Sequence, residues 1–144
     1  MLSSFCVCSS SHYGDRCPTE CQLSYSDHPW SCNVVLRKMV DKHGQPMGGT
    51  QNIPFGPTIE DKSDVEERIC CAQRAILNPS TSHEVFLTGP NRDPNGGSEI
   101  SFLKNCVCLE LRGPDLTDLS FCDLPGMCIY PVPLAPSLKF QFYS

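Results

Sequence analysis

The sequence predicts an α/β fold built on a mixed sheet, and three observations carry that expectation. Residues 64–77 place apolar side chains at helical spacing, residues 20–25, 31–40, 106–111 and 119–122 read as strands, and the stretches between are rich in Gly and Pro. In the helix, Val65, Ile69, Ala72 and Ile76 form one apolar stripe. Ser63-Asp64-Val65-Glu66 has the form of a capping box, and Asn78-Pro79 stops the helix. Asp64, Glu66 and Glu67 crowd its first turn while Arg74 sits near its end, as the helix dipole favours.

The first two strands flank Asp27-His28-Pro29-Trp30, a turn that offers a hairpin between them. Residues 41–57 contain Gly44, Pro46, Gly48, Gly49, Pro54, Gly56 and Pro57 and read as a loop. Residues 80–99 read the same way, with 84–87 the one strand candidate inside them. Further on, Val107, Leu109 and Leu111 alternate onto one face, as do Leu119 and Phe121, and Gly113-Pro114-Asp115 turns between the two runs. An antiparallel hairpin is expected there. Pro131, Pro133 and Pro136 exclude a helix through residues 128–144, which are expected to be an irregular tail. Residues 1–15, rich in Ser and Cys and without periodicity, are expected to be a poorly ordered segment.

At 144 residues the chain fits one domain. A net charge of −5 supplies no basic field for phosphate backbones, so nucleic acid is excluded as a partner class. Apolar runs such as Val34-Val35-Leu36 fall far short of the roughly 20 residues that cross a bilayer. The eleven cysteines are the unusual feature. The first fifteen residues hold no Lys or Arg and no continuous apolar core, so they do not read as a secretory signal. The odd cysteine count and this start point to a reducing, cytoplasmic setting with free, mostly buried thiols. A small zinc- or thiol-dependent binding module is the alternative, with Cys6-x-Cys8, Cys17-x-x-x-Cys21, Cys70-Cys71 and Cys106-x-Cys108 as ligand pairs. Only one of these has the spacing of a zinc knuckle. A cysteine hydrolase using His12, His28, His43 or His83 has no local signature around any Cys.

The motif richest in chemistry is Asp123-Leu124-Pro125-Gly126, which closes the last strand. An acid at a strand end is placed to hold a cation, and a nearby Gly lets backbone N–H approach an anion. The whole run from Cys106 to Met127 resembles the strand, turn, strand and switch II segment of dynamin-like large GTPases. Upstream, Arg16-Cys17-Pro18 followed by Cys21-Gln22-Leu23-Ser24 resembles the end of that family's switch I and its next strand, and the helix at 64–77 falls in the matching place.

The resemblance implies a partial P-loop GTPase domain over residues 16–127: a mixed sheet with a β-hairpin and at least one packed helix. It implies GTP and magnesium as ligands. Asp123 would support the magnesium through water, and Leu124, Pro125 and Gly126 would carry the γ-phosphate sensor, with the Gly126 N–H reading that group. Arg16 and Pro18 would frame the end of switch I. Self-association, or association with other dynamin-like chains, is the implied partner class, and membrane contact would come only through regions these residues lack.

Three departures follow residue by residue. Where the family has a switch I Thr before Arg-x-Pro, this chain has Asp15, whose carboxylate repels phosphate. No G-x-x-x-x-G-K-[ST] phosphate cradle and no guanine-reading Thr-Lys-x-Asp occur among the 144 residues. These residues are therefore expected to represent the middle of a GTPase domain and to be inactive on their own.

Overall fold

Five strands form one sheet in the computed structural model, which describes residues 17–88 and 104–123. They are β1 (Thr19–Tyr25), β2 (Ser31–Val40), β3 (Pro46–Pro54), β4 (Cys106–Gly113) and β5 (Leu119–Asp123), joined by α1 (Val65–Leu77) and the short α2 (His83–Thr88). The architecture is mixed α/β. The expected segments 1–15 and 128–144, and most of the Gly/Pro stretch that ends at residue 99, lie outside the described residues.

β1, β2, β4, β5 and α1 stand where the sequence puts them, but their order in space does not follow their order in sequence. The sheet runs β3-β2-β4-β1-β5. β1 and β2 do not pair as a hairpin, because β4 lies between them, parallel to β1 and antiparallel to β2. The cause is visible in β4: Cys106, Val107, Cys108 and Leu109 are all buried, and a strand apolar on both faces belongs at the centre of a sheet.

The expected β4–β5 hairpin is also replaced. Residues 114–118 carry the chain past β1, so that β5 pairs antiparallel with the far edge of β1. Strands two positions apart are separated by about 10 Å, within easy reach of five linking residues. Asp118 fixes the crossing by accepting a hydrogen bond from the Tyr25 N–H at 2.9 Å.

Two further elements differ from expectation. Residues 46–54, read as loop, form β3 against β2, in register Leu36↔Ile53 and Arg37↔Asn52. Gly48, Gly49 and the terminal prolines are tolerated because β3 is an edge strand, and a bulge between Lys38 and Val40 absorbs the irregularity. The turn from β2 to β3 is held by Asp41, whose carboxylate accepts from the N–H groups of His43 and Gln45 at 2.8 and 2.9 Å. These bonds lower the Asp41 pKa. The strand candidate 84–87 is instead part of α2, which packs Phe86 and Leu87 towards the core and leaves Val85 exposed.

The capping box does not form. Asp61 accepts from the Ser63 N–H and hydroxyl at 2.9 and 2.8 Å, capping a 3-10 turn (Lys62–Asp64) that leads into α1. At the other end Asn78 donates to the Arg74 carbonyl at 2.9 Å and closes the helix. The predicted stripe of Val65, Ile69, Ala72 and Ile76 is buried in one core with Cys32, Val34 and Leu36 of β2 and Val107, Leu109 and Leu111 of β4. Phe55 and Ile59, from the segment entering the helix, complete it. Ile59 exchanges two backbone hydrogen bonds of 2.8 Å with Cys32. Gly56 sits at φ +79°, where an L side chain is strained, and a Cβ there would strike the Arg68 guanidinium. That guanidinium donates to the carbonyls of Phe55 and Pro57 on either side of the glycine, at 3.1 and 3.0 Å, tying α1 to the turn.

One buried amide joins the far ends of β2 and β4. Asn105 accepts from the N–H groups of Met39 and Val40 at 2.7 and 3.0 Å and donates to the Val40 carbonyl at 3.1 Å. Three bonds beside the β2 bulge fix where the ladder between these strands begins.

Candidate functional site

Alternation along the strands divides the sheet into two faces. Thr19, Cys21, Cys32, Val34, Leu36, Val107, Leu109 and Leu111 face α1, whereas Glu20, Gln22, Arg37, Cys106 and Cys108 lie on the opposite face. Among the described residues, helices pack on the first face only.

The nucleotide site expected from the resemblance is described only at its edges. Asp123 is the last residue of β5 and is paired with Thr19, the first residue of β1, so the chain enters β1 and leaves β5 at the same end of the sheet. Pro18 stands just before β1, half-buried, and its carbonyl accepts from the Val107 N–H at 3.1 Å. Arg16, Leu124, Pro125 and Gly126 lie outside the described residues, as does the side chain of Asp123. Just inside this end, Thr19 receives a hydrogen bond of 3.4 Å from the Gln73 amide of α1, and Gln73 is fully buried.

The described cysteines divide by environment. Cys17, Cys32, Cys71, Cys106 and Cys108 are free thiols, as expected, but Cys70 is disulfide-bonded. The thiol-only expectation is corrected there, and the Cys70-Cys71 pair loses one of its two sulfurs as a metal ligand. Cys17 and Cys21 are buried on the α1 side of the sheet. Burial pushes the Cys17 thiol up to about 12 and that of Cys32 to about 11.

A different group converges on the opposite face. Among the described residues, Glu20, Cys106 and Cys108 alone bring three potential ligand atoms together, all within 4.8 Å of one another. β4 places the two cysteines two residues apart on one face, and the parallel ladder with β1 sets Glu20 directly beside Cys108. The two sulfurs are 3.8 Å apart, and the Cys108 sulfur is 3.8 Å from Glu20 Oε2. Both cysteines are buried, while Glu20 and Arg37 remain partly exposed. Arg37 forms an ion pair with Glu20 Oε2, and Gln22 donates to Oε1 at 2.8 Å, so both carboxylate oxygens are oriented.

The two thiols titrate as a pair. The hydrogen bond from Cys108 holds Cys106 below the ordinary thiol range against the opposing effect of burial, and Arg37 adds to the lowering. Cys108 is pushed up in turn by the same bond and by burial. Since the thiolate is the nucleophile, iodoacetamide should modify Cys106 at lower pH than Cys71, which is more exposed but pushed up by burial. Peptide mapping of native protein alkylated across a pH series checks this. If exposure alone governed reactivity, Cys71 would lead at every pH.

This cluster was only half visible in the sequence. Cys106-x-Cys108 is a ligand pair at strand spacing, but nothing local connects it to Glu20. No family model and no curated protein matches the chain. No helix among the described residues is long and apolar enough to cross a membrane.

Proposed function

We propose that this chain is the switch-bearing middle of a dynamin-like GTPase domain. The observation that supports the reading best is the antiparallel pairing of Thr19 with Asp123. It brings Pro18, which belongs to the run resembling the end of switch I, and Asp123, the first residue of the run resembling switch II, to one end of one sheet. Two segments more than 100 residues apart in sequence can read one γ-phosphate only if the fold joins their ends in this way.

In this reading Asp123 holds the magnesium through water, the Gly126 N–H senses the γ-phosphate, and Arg16 and Pro18 shape the closing loop. Further chain of the same kind supplies the phosphate cradle and the guanine-reading residues, and with them the partners and the membrane on which such a domain acts. The 144 residues themselves do not hydrolyse GTP. Sequencing the genomic DNA and transcripts on both sides of this coding segment tests the assignment. An in-frame G-x-x-x-x-G-K-[ST] upstream and a Thr-Lys-x-Asp downstream are expected; flanking frames without either would overturn it.

A further inference from the structure

We propose that Glu20, Cys106 and Cys108 form a binding site for a tetrahedral divalent cation, Zn2+ in chemical class, on the sheet face opposite α1. The site does not depend on the GTPase assignment, since it rests on the geometry of β1 and β4 and uses no residue given a nucleotide or magnesium role.

The first support is distance. Zn–S bonds of about 2.3 Å at the tetrahedral angle span an S···S edge of about 3.8 Å, and a Zn–O bond of about 2.1 Å beside one of them spans an S···O edge of about 3.6 Å. The observed separations are 3.8 Å between the sulfurs and 3.8 Å between the Cys108 sulfur and Glu20 Oε2. Two edges of the polyhedron are therefore at bonding scale before any ion arrives, the third pair of ligand atoms lies within 4.8 Å, and the fourth corner is left for water.

The second support is rigidity. Both sulfurs come from the central strand of the sheet, and Glu20 from the strand hydrogen-bonded to it in register Glu20↔Cys108. Ligands on paired strands are fixed more closely than ligands on loops.

The third is charge. Two thiolates and a carboxylate around a divalent ion leave one net negative charge, and the Arg37 guanidinium, already paired with Glu20, cancels it. Arg37 and Gln22 act as the outer partners that orient a ligating carboxylate. Binding forms two metal–sulfur bonds and releases the two thiol protons to solvent, with no change of oxidation state. The knuckle-spacing rule misses such a site because two ligands sit at strand spacing and the third comes across the ladder.

The test uses the full chain, freed of metal by chelation with the Cys70 disulfide left intact. Titrated Co2+ should produce a thiolate-to-cobalt charge-transfer band and tetrahedral visible bands that saturate at one equivalent, and Zn2+ should displace it. X-ray absorption at the zinc edge of the one-equivalent complex should read two sulfur and two oxygen neighbours. A first shell with no sulfur, or with three or more, would overturn the site, as would the absence of a cobalt–thiolate band. Glu20→Gln, which alters a partly exposed side chain, should weaken Zn2+ binding tenfold or more, and unchanged affinity would remove Glu20 from the ligand set and overturn the proposal. Cys71→Ser should leave the cobalt spectrum and stoichiometry intact; losing the band there would place the metal elsewhere and overturn the proposal too. If Cys106→Ser or Cys108→Ser fails to fold, the zinc-edge measurement on the unaltered chain decides alone.

Discussion

Mixing this chain at micromolar concentration with GTP and magnesium should give no binding heat and no phosphate release above buffer. The expectation follows from what each missing part contributes. A phosphate cradle donates several charge-assisted hydrogen bonds worth about 1.5 to 3 kcal/mol each, so losing three of them weakens binding by about a thousandfold or more. Asp15 adds a negative charge where the family resemblance expects a neutral Thr; at about 4 Å from a phosphate oxygen this repulsion is on the order of 4 kcal/mol near a protein surface. No Thr-Lys-x-Asp guanine-reading motif occurs among the 144 residues. In the proposed reading Asp123 and Gly126 address only the metal and the γ-phosphate, and two such contacts cannot hold a nucleotide whose β-phosphate is unbound. Calorimetry is the measurement. Saturable micromolar binding that disappears in Asp123→Ala would mean that the chain builds a nucleotide site without the cradle.

The second large effect is on stability. Replacing Asn105 with Ala should cost about 3 to 5 kcal/mol, because it strips partners from two N–H groups and one carbonyl at once, and each buried group left unpaired costs about 1 to 3 kcal/mol. Met39 is partly exposed and its N–H regains water, which keeps the sum below the upper limit. Domains of this size are stable by about 5 to 15 kcal/mol, so the loss is a large share. Asn52→Ala is the control: it removes an exposed hydrogen bond from Arg37 on the same sheet and should change stability by under about 0.5 kcal/mol. Urea midpoints of the two variants check the contrast. Equal small losses would mean that Asn105 does not anchor the β2–β4 ladder.

Local pattern explains which parts of this fold were readable from sequence. The α1 stripe is legible because four apolar residues repeat at helical spacing, and β2 because an apolar run lies between clear turn residues. The strand order is not legible, because the pairing of β1 with β4 joins residues 88 apart, such as Glu20 and Cys108. The sign that β4 is central was present, since Cys106, Val107, Cys108 and Leu109 leave no polar face, but cysteine reads as neither clearly apolar nor polar. β3 was hidden by glycines and prolines that an edge strand tolerates. The Ser63–Glu66 pattern promised a cap, yet Asp61 reached the Ser63 N–H first and a 3-10 turn formed in its place. For the sites the same division holds. Asp123 at a strand end can be found by eye, while Glu20 joins Cys106 and Cys108 only after the ladder is known.

Everything proposed for Pro18, Asp123 and the segments beyond them depends on β5 pairing with β1 and not with β4. Nuclear Overhauser contacts in isotope-labelled protein read this directly. Cross-strand contacts should link Thr19 with Asp123, Cys21 with Phe121 and Leu23 with Leu119, beside parallel contacts between β1 and β4. A β4–β5 hairpin, with contacts joining those two strands and none between β1 and β5, would contradict the shared sheet end and remove the support for a γ-phosphate site there.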